Sequence, residues 1–478
     1  MMKIKRYIFL VAALLLMGQG ASAWSGSGTS GDPYLIASPA DWETFATSTD
    51  EYSDTFFKLT ADITVTTMRT KTFSGTFDGG GNTLTFNYTA TGDNAAPFAY
   101  ITGATIKNLR VAGTINTGYK FAAGIAAQTD GTTNITNCQV SVTINSTNDT
   151  GKDRDGTHGG LVAYQGSGTL TINNCLFDGE LLGASTSGCG GFVGWVANSS
   201  SYHTYISNSL FAPANITVKA PTFCRHNSST LHLEASTCYY ITPNWTASTV
   251  QGTNANSMTA EALVAALNNG DKNWCVHRGN AIPVMVNLVI NNKTEWDNFS
   301  SHAGNYENKY VQLNADISNI TAMTSGTFQG IFDGNGHTLT VNLSGGGNVA
   351  PFKYLDGGTI MNLTVAGTVT STTNYCSGLV ARATGGVCLI DNCVVNTNNT
   401  GFGFVGGVLA YCDGATSLTI SNCIYGGTIA IQPNGYDNYS GGIFGWYNRT
   451  DLNLTMYNCL FKGNYTGNGQ FHPIGVKK

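Results

Sequence analysis

Charge is what this sequence has least of. Lys, Arg, Asp and Glu make up 11% of its 478 residues, against roughly 25% in an average soluble protein. The formal balance is −5, and a nucleic-acid partner would need a basic stripe that this chain does not carry. Proline is scarce, at 10 residues, and the 8 histidines are scattered. No Cys-x-x-Cys pair or His/Cys cluster has zinc spacing. No Gly-x-Ser-x-Gly, His-Glu-x-x-His or P-loop string occurs. Beyond the N-terminus no apolar run reaches the ~20 residues of a membrane-spanning helix. Low charge does not mean disorder here, because 42% of the residues are hydrophobic and 11% aromatic.

Residues 1–23 read as a secretory signal. Lys3, Lys5 and Arg6 form a charged start, Tyr7 to Met17 an apolar stretch, and Ala21-Ser22-Ala23 a small-residue cleavage site. The mature chain is then expected to begin at Trp24 and to be secreted or held at the cell surface. No cysteine follows the apolar stretch, which argues against a lipoprotein anchor.

All 12 cysteines lie beyond that segment. Export would normally suggest a disulfide framework. Here Cys138, Cys175, Cys393, Cys423 and Cys459 each follow an asparagine at the end of a short β-rich run. That regularity suits a buried column of free thiols, since cysteine packs as a small hydrophobe. Cys224, Cys238 and Cys275 are irregular and leave room for one bridge.

Glycine is abundant, with 59 residues, and it is ordered. The chain is duplicated. Asp41-Trp42-Glu43-Thr44-Phe45 returns as Glu295-Trp296-Asp297-Asn298-Phe299, and Leu59 to Ile63 returns as Leu313 to Ile317. Phe77-Asp78-Gly79-Gly80-Gly81-Asn82 returns as Phe332-Asp333-Gly334-Asn335-Gly336-His337, and Ala96-Pro97-Phe98 as Ala350-Pro351-Phe352. Within each copy a shorter unit of about 30–37 residues recurs. It opens on a glycine-led run, such as Gly159-Gly160-Leu161-Val162-Ala163 or Gly406-Gly407-Val408-Leu409-Ala410. It continues as an alternating strand ending in Asn-Cys, such as Leu170 to Cys175 or Leu418 to Cys423. Short β-branched strands at this spacing cannot bury their own apolar faces and must stack on neighbours. The absence of a 3.6-residue period across these units excludes a helical solenoid. Stacked asparagines would form a ladder whose amides satisfy backbone groups at a turn.

Two segments read as helices. Ser38 to Ala46 has a serine cap, an early proline and an early acid, with Trp42 and Phe45 on one face. With its counterpart at Trp296 and Phe299 it is expected to cover the end of a stack. The second, Thr259 to Leu267, reads as part of a connector. After Tyr465 copy two ends half a rung short of copy one, which leaves either a strand edge or a capping loop.

The glycine-led runs, the Ile-x-Asn-Cys strands and the Phe-Asp-Gly-Asn-Gly-His-Thr-Leu turn together resemble the GLUG-motif repeat proteins. The resemblance covers most of residues 30–245 and 283–475. Those proteins are secreted or surface-exposed and bacterial, and several are adhesins or parts of large surface proteins. The resemblance implies a right-handed parallel β-helix of the pectin-lyase-like kind. Ala126-Ala127, Val162-Ala163 and Val380-Ala381 depart from the motif's Val-Gly. No catalytic residues are carried over.

Candidate chemistry is sparse. A β-helical lyase needs clustered carboxylates for calcium and a nearby base, and a glycosidase needs paired carboxylates. Asp78 and Asp333 repeat, but Asp-Gly-Gly and Asp-Gly-Asn-Gly are turn chemistry. Asp149, Lys152, Asp153, Arg154, Asp155 and His158 form the densest polar cluster. They read as a solvated loop or, more sharply, a calcium or substrate loop. His337 has Asn82 as its counterpart, which excludes a duplicated histidine role. One column stands out. Four residues after the second glycine of each run come Gln128, Tyr164 and Trp195, then Arg382, Tyr411 and Trp446. With Leu161 inward, strand alternation sends Tyr164 outward. Flat aromatics with a polar edge suit sugar rings; equally, they stabilise a sheet by stacking.

The sequence is therefore read as all-β, two tandem right-handed parallel β-helices with short helical caps. Residues 1–23 are a signal peptide, 24–257 the first β-helix and 258–290 a helix–strand connector. Residues 291–478 are the second β-helix. The expected function is a non-catalytic adhesin or scaffold binding host or microbial glycans or surface proteins, through Tyr164, Trp195, Arg382, Tyr411 and Trp446. No catalytic residue, metal or cofactor is assigned, and no nucleic acid or membrane span. Two alternatives remain: a carbohydrate-active enzyme, favoured by close carboxylates, and a passive stalk, favoured by buried tryptophans.

Overall fold

The computed structural model describes residues 24–147, 157–183, 188–226, 230–242, 245–268, 273–276, 282–432, 439–448, 451–467 and 470–477. The chain forms two compact units that meet in sequence between Met285 and Val286. Each is a parallel β-helix. The first contains sheets of eight, ten and four strands, and the second sheets of seven, eight, six and four.

Strict register makes the core. Phe57, Phe77, Ile106, Ile135, Ile172, Ile206 and Leu233 lie opposite one another on successive strands of one sheet. Val311, Phe332, Ile360, Ile390, Ile420 and Met456 do the same in the second unit. A rung alone would leave this row in water. Stacking at the ~4.8 Å interstrand spacing buries it on both sides.

Asparagine turns the chain from one sheet to the next. Asn108, Asn137, Asn174 and Asn208, and Asn362, Asn392, Asn422 and Asn458, all have φ between 48° and 55°. Asparagine tolerates this left-handed region better than other residues with a Cβ. Three of these amides donate to the turn asparagine of the rung below, while those of Asn208 and Asn422 donate to Asn173 and Asp391. Asn137 Nδ2 donates to Asn108 Oδ1 at 3.3 Å, Asn392 to Asn362 at 2.8 Å and Asn458 to Asn422 at 3.1 Å. At the foot of each column the donors reach Asp78 and Asp333, at 2.9 and 3.0 Å. Those two carboxylates also accept from the turn amides of Gly80 and Asn335, at 2.9 and 2.7 Å. The repeated aspartates therefore serve the turn.

All twelve cysteines are unbridged. Cys138, Cys175, Cys393 and Cys423 are buried, whereas Cys459 in the last described rung is half-buried. The bridge left open for Cys224, Cys238 and Cys275 is absent. Each points its thiol at a carbonyl, of Arg225, Ile206 and Val284 at 3.7, 3.4 and 3.6 Å.

The glycine pairs have a steric cause. A Cβ on Gly160 would lie 2.2 Å from the Gly191 carbonyl oxygen, and one on Gly407 2.0 Å from that of Gly442. The neighbouring rung's backbone occupies the space of a side chain.

Helix α1, Pro39–Thr47, is capped by Ser38, whose hydroxyl accepts from the Asp41 amide at 3.3 Å. Its Trp42 is fully buried edge-on to Phe77 and Phe98, with ring centroids 6.0 and 5.9 Å away. Helix α2 spans Ala260–Leu267. It packs with Trp274 and Met285 on Leu176, Leu210 and Tyr239 of the first unit, so the chain up to Met285 belongs to that unit. Helix α3, Lys293–Ser301, repeats α1 in the second unit. Trp296 meets Phe332 and Phe352 edge-on, each at 5.9 Å.

Candidate functional site

The column singled out in the sequence is a register ladder. Tyr100, Gln128, Tyr164 and Trp195 lie opposite one another in the first unit. Tyr354, Arg382, Tyr411 and Trp446 do so in the second. The ladder skips the residue before each, as between Val162 and Tyr164. Ala163 then packs with Ala96, Ala123 and Ala127 beneath Phe121, in a cluster separate from the interior core.

The five expected binding residues do not share one environment. Tyr164 and Trp195 are half-buried, as is Arg382. Tyr411 and Trp446 are 7% and 8% exposed, so the expectation that both face solvent is corrected. They are covered from outside, by a second aromatic column. Tyr375, Phe404 and Tyr439 pack on Tyr411 and Trp446 in a cluster separate from the core of that unit.

This second column is the part the sequence reading missed. Tyr375, Phe404 and Tyr439 each stand two residues before a glycine-led run, and their equivalents in copy one are Phe121, Thr157 and Gly188. That common phase was the available signal. Tyr375 and Phe404 have φ of 64° and 51°, and Phe121 has 60°. Left-handed backbone costs an aromatic residue about 1–2 kcal/mol, and the same turn is left-handed at Asn94, Thr157 and Asn348 on other rungs. The turn throws the ring outward instead of into the core.

The resulting shelf is layered. Tyr411 stacks on Trp446 at 5.3 Å and 18°. Tyr439 stacks on Trp446 at 5.9 Å and 9°, and Phe404 lies 4.8 Å from it. Tyr375 stacks on Phe404 at 5.4 Å. The Arg382 guanidinium sits 5.2 Å over Tyr375 and 5.6 Å over Tyr411, and pairs with Asp413. Burial, then Tyr375 and Asp413, hold the Tyr411 phenol above its ordinary pKa, with Arg382 opposing. It therefore stays a hydrogen-bond donor at neutral pH. The Trp446 indole N–H is buried and has no acceptor among the described residues.

In the first unit the column is thinner. Phe121 lies 5.3 Å from Tyr164, and the Arg225 guanidinium lies 4.6 Å over Trp195.

Of the polar cluster at 149–158, Asp149, Lys152, Asp153, Arg154 and Asp155 fall outside the described residues. His158 is not solvated, being 1% exposed. It lies in the interior because its neighbour Gly159 is in register with Ala123 and Gly190. Its Nδ1 accepts from the Ala122 amide at 3.2 Å, and burial pushes its pKa down to about 4. His337, at its turn, lies 3.2 Å from Asp316. Among the described residues no group of three or more His, Cys, Asp and Glu is placed to hold a metal ion. Among them, too, no helix is long and apolar enough to cross a membrane.

No family model and no curated protein matches this chain. A solved structure from Bacteroides ovatus, provisionally named an immunoglobulin A1 protease, is similar at a TM-score of 0.38 and 17% identity. The match covers 54% of this chain and 94% of that one.

Proposed function

We propose that this chain is an exported, non-catalytic binding scaffold of the GLUG-motif kind, acting as an adhesin that holds glycans on the aromatic shelf of its second β-helix. The carrying observation is that shelf: five aromatic rings outside the core, two of them held by left-handed backbone. The solvent-facing layer is Tyr375, Phe404 and Tyr439, all half-buried. Tyr411 and Trp446 support it from below. Stacked flat rings match the apolar faces of pyranose rings, while the Tyr411 hydroxyl and the Arg382–Asp413 pair offer polar edges. The signal-like segment at 1–23 and the rigid repeat support display outside the cell.

The test is binding of the chain from Trp24 onward to an array of host and microbial glycans. The double variant Phe404→Ala/Tyr439→Ala is expected to lose affinity at least tenfold with its β-sheet circular dichroism unchanged. No binding by the wild type would defeat the glycan reading. A passive stalk is the second reading, favoured by the 8% exposure of Trp446. It requires the double variant to change stability and no binding signal.

A further inference from the structure

The outer face of the first unit brings two imidazoles together. Strands His203–Ser207 and Leu231–Leu233 are neighbours in one sheet, with Tyr205 opposite His232. Ile206 is buried, so alternation sends His203 and Tyr205 outward on the same face. His203 is therefore diagonal to His232, a separation of roughly 7–8 Å that two long side chains can close. They do close it, and His203 Nδ1 lies 3.1 Å from His232 Nε2. On the rungs before, Thr132 and Thr169 occupy the column of His203. Its equivalent in the second unit is Asn453. The stack itself does not demand histidine here.

Both imidazoles are held in place. Tyr205 stacks on His232 with ring centroids 4.6 Å apart and planes at 11°. Buried Gln165 donates to the His203 carbonyl at 3.0 Å, and the His203 amide donates to the Gly168 carbonyl at 3.0 Å. These bonds fix the strand from which the first imidazole projects. The opposite side is open to solvent. Tyr205 is 42% exposed, and His232 is exposed beside it. Tyr205, Ser207, His232 and Glu234 help to line a hollow of about 520 Å³, with room for several waters at ~30 Å³ each. Glu234, also exposed, adds a negative charge at its wall.

We infer that the His203–His232 pair binds a divalent transition-metal ion of the class that imidazole prefers, Ni²⁺, Cu²⁺ or Zn²⁺. With metal–nitrogen bonds of ~2.0–2.1 Å, two nitrogens 3.1 Å apart subtend about 98° at the ion. That angle lies between the ~90° of a square or octahedral site and the ~109° of a tetrahedral one. The spacing at which the two rings share a proton is therefore also the spacing of two adjacent ligands. The ion takes the lone pairs of His203 Nδ1 and His232 Nε2. The ring protons then sit on His203 Nε2 and His232 Nδ1, so a proton changes nitrogen and none is lost from the neutral pair. Each ring turns about χ2, a broad torsion, to aim its lone pair at the shared point. Two imidazoles leave the other coordination positions to water in the hollow, which makes the site open and not a closed cage. The inference is independent of the glycan reading and uses the other unit.

Titration calorimetry of the untagged chain from Trp24 onward with nickel chloride and zinc chloride tests it. Magnesium chloride is the control, because a hard cation prefers oxygen ligands. One equivalent of Ni²⁺ or Zn²⁺ is expected to bind at least tenfold more tightly than Mg²⁺. His203→Gln and His232→Gln are each expected to weaken that equivalent tenfold or more with β-sheet circular dichroism unchanged, and the double variant to abolish it. His302→Gln, at the end of α3, is expected to leave it unchanged. Electron paramagnetic resonance of the Cu²⁺-loaded wild type is expected to show two nitrogen ligands, and one in either single variant. The inference is overturned if no such equivalent binds, if Mg²⁺ binds equally well, or if either single variant binds as the wild type does. It also fails if the double variant keeps the equivalent, which would place the ion elsewhere, or if the Cu²⁺ spectrum of the wild type shows fewer than two nitrogens.

Discussion

His158 makes the first unit acid-sensitive by a predictable amount. Its ring is 1% exposed, and Nδ1 accepts from the Ala122 amide, so the single proton of the neutral ring sits on Nε2. Protonation would place a second N–H against that amide and leave a cation in an apolar interior. The folded pKa is accordingly about 4, against 6.5 for a free histidine. Above pH 6.5 both states are neutral and nothing depends on pH. Between 6.5 and 4 the unfolded chain takes up a proton that the folded chain does not. Stability then falls by about 1.4 kcal/mol per unit, for a total of about 3 kcal/mol. Below 4 both states are protonated and the loss is complete. The control is His158→Val, because valine is the residue at the equivalent position, Val405, where it is fully buried. The variant leaves the Ala122 amide without its acceptor, a pH-independent cost of about 1–3 kcal/mol. Thermal or urea unfolding of both proteins from pH 7.5 to 3.5 gives the difference, in which the other titrating groups cancel. The wild type is expected to be the more stable at pH 7 and to lose about 3 kcal/mol relative to the variant by pH 4. A difference that stays flat with pH, or a wild type that gains stability on acidification, would refute the burial argument.

Other perturbations test the frame. Asn422→Ala removes a left-handed turn residue and its bonds to Asp391 and Asn458, at 2.8 and 3.1 Å. About 2–4 kcal/mol should be lost, and Asn422→Gly should lose less because glycine accepts the backbone angle; equal losses would discount the turn. Gly407→Ala drives a methyl into the Gly442 carbonyl and should reach the upper end of the ~1–3 kcal/mol typical of overpacking, read by urea unfolding. Trp296→Ala empties the fully buried indole site behind α3. It should cost about 3–5 kcal/mol, with amide exchange rising first in the second unit. Since no thiol is bridged, a reducing agent should leave the melting temperature unchanged, and a drop would reveal a disulfide.

How much of this was legible in the sequence follows from which positions the stack constrains. Inward residues repeat because every rung meets the same neighbours. Ile135, Ile172 and Ile206 could therefore be placed from alternation alone, and the glycine pairs from their recurrence. The Asn-Cys strings marked the turn, although not that the amides would bond to each other. Outward positions carry no such constraint. The column from Gln128 to Trp446 was visible because it lies at a fixed distance from the glycines. Tyr375, Phe404 and Tyr439 have the same virtue, but they lie before the run, in a turn whose left-handed backbone no alternation rule foresees. His158 was misread because it ends a polar segment, and only the register of Gly159 turns it inward.

The duplication sharpens the functional argument. Both units keep the interior, down to paired tryptophans meeting two phenylalanines edge-on at nearly equal distances. Their outer faces differ. Where the second unit has Phe404 and Tyr439, the first has Thr157 and Gly188. Where Tyr439 stacks on Trp446, Arg225 stacks on Trp195. One frame carries both surfaces, and its core is indifferent to them. If the shelf binds glycans, the loss on Phe404→Ala/Tyr439→Ala must come from the second unit, because the first has no ring at either position.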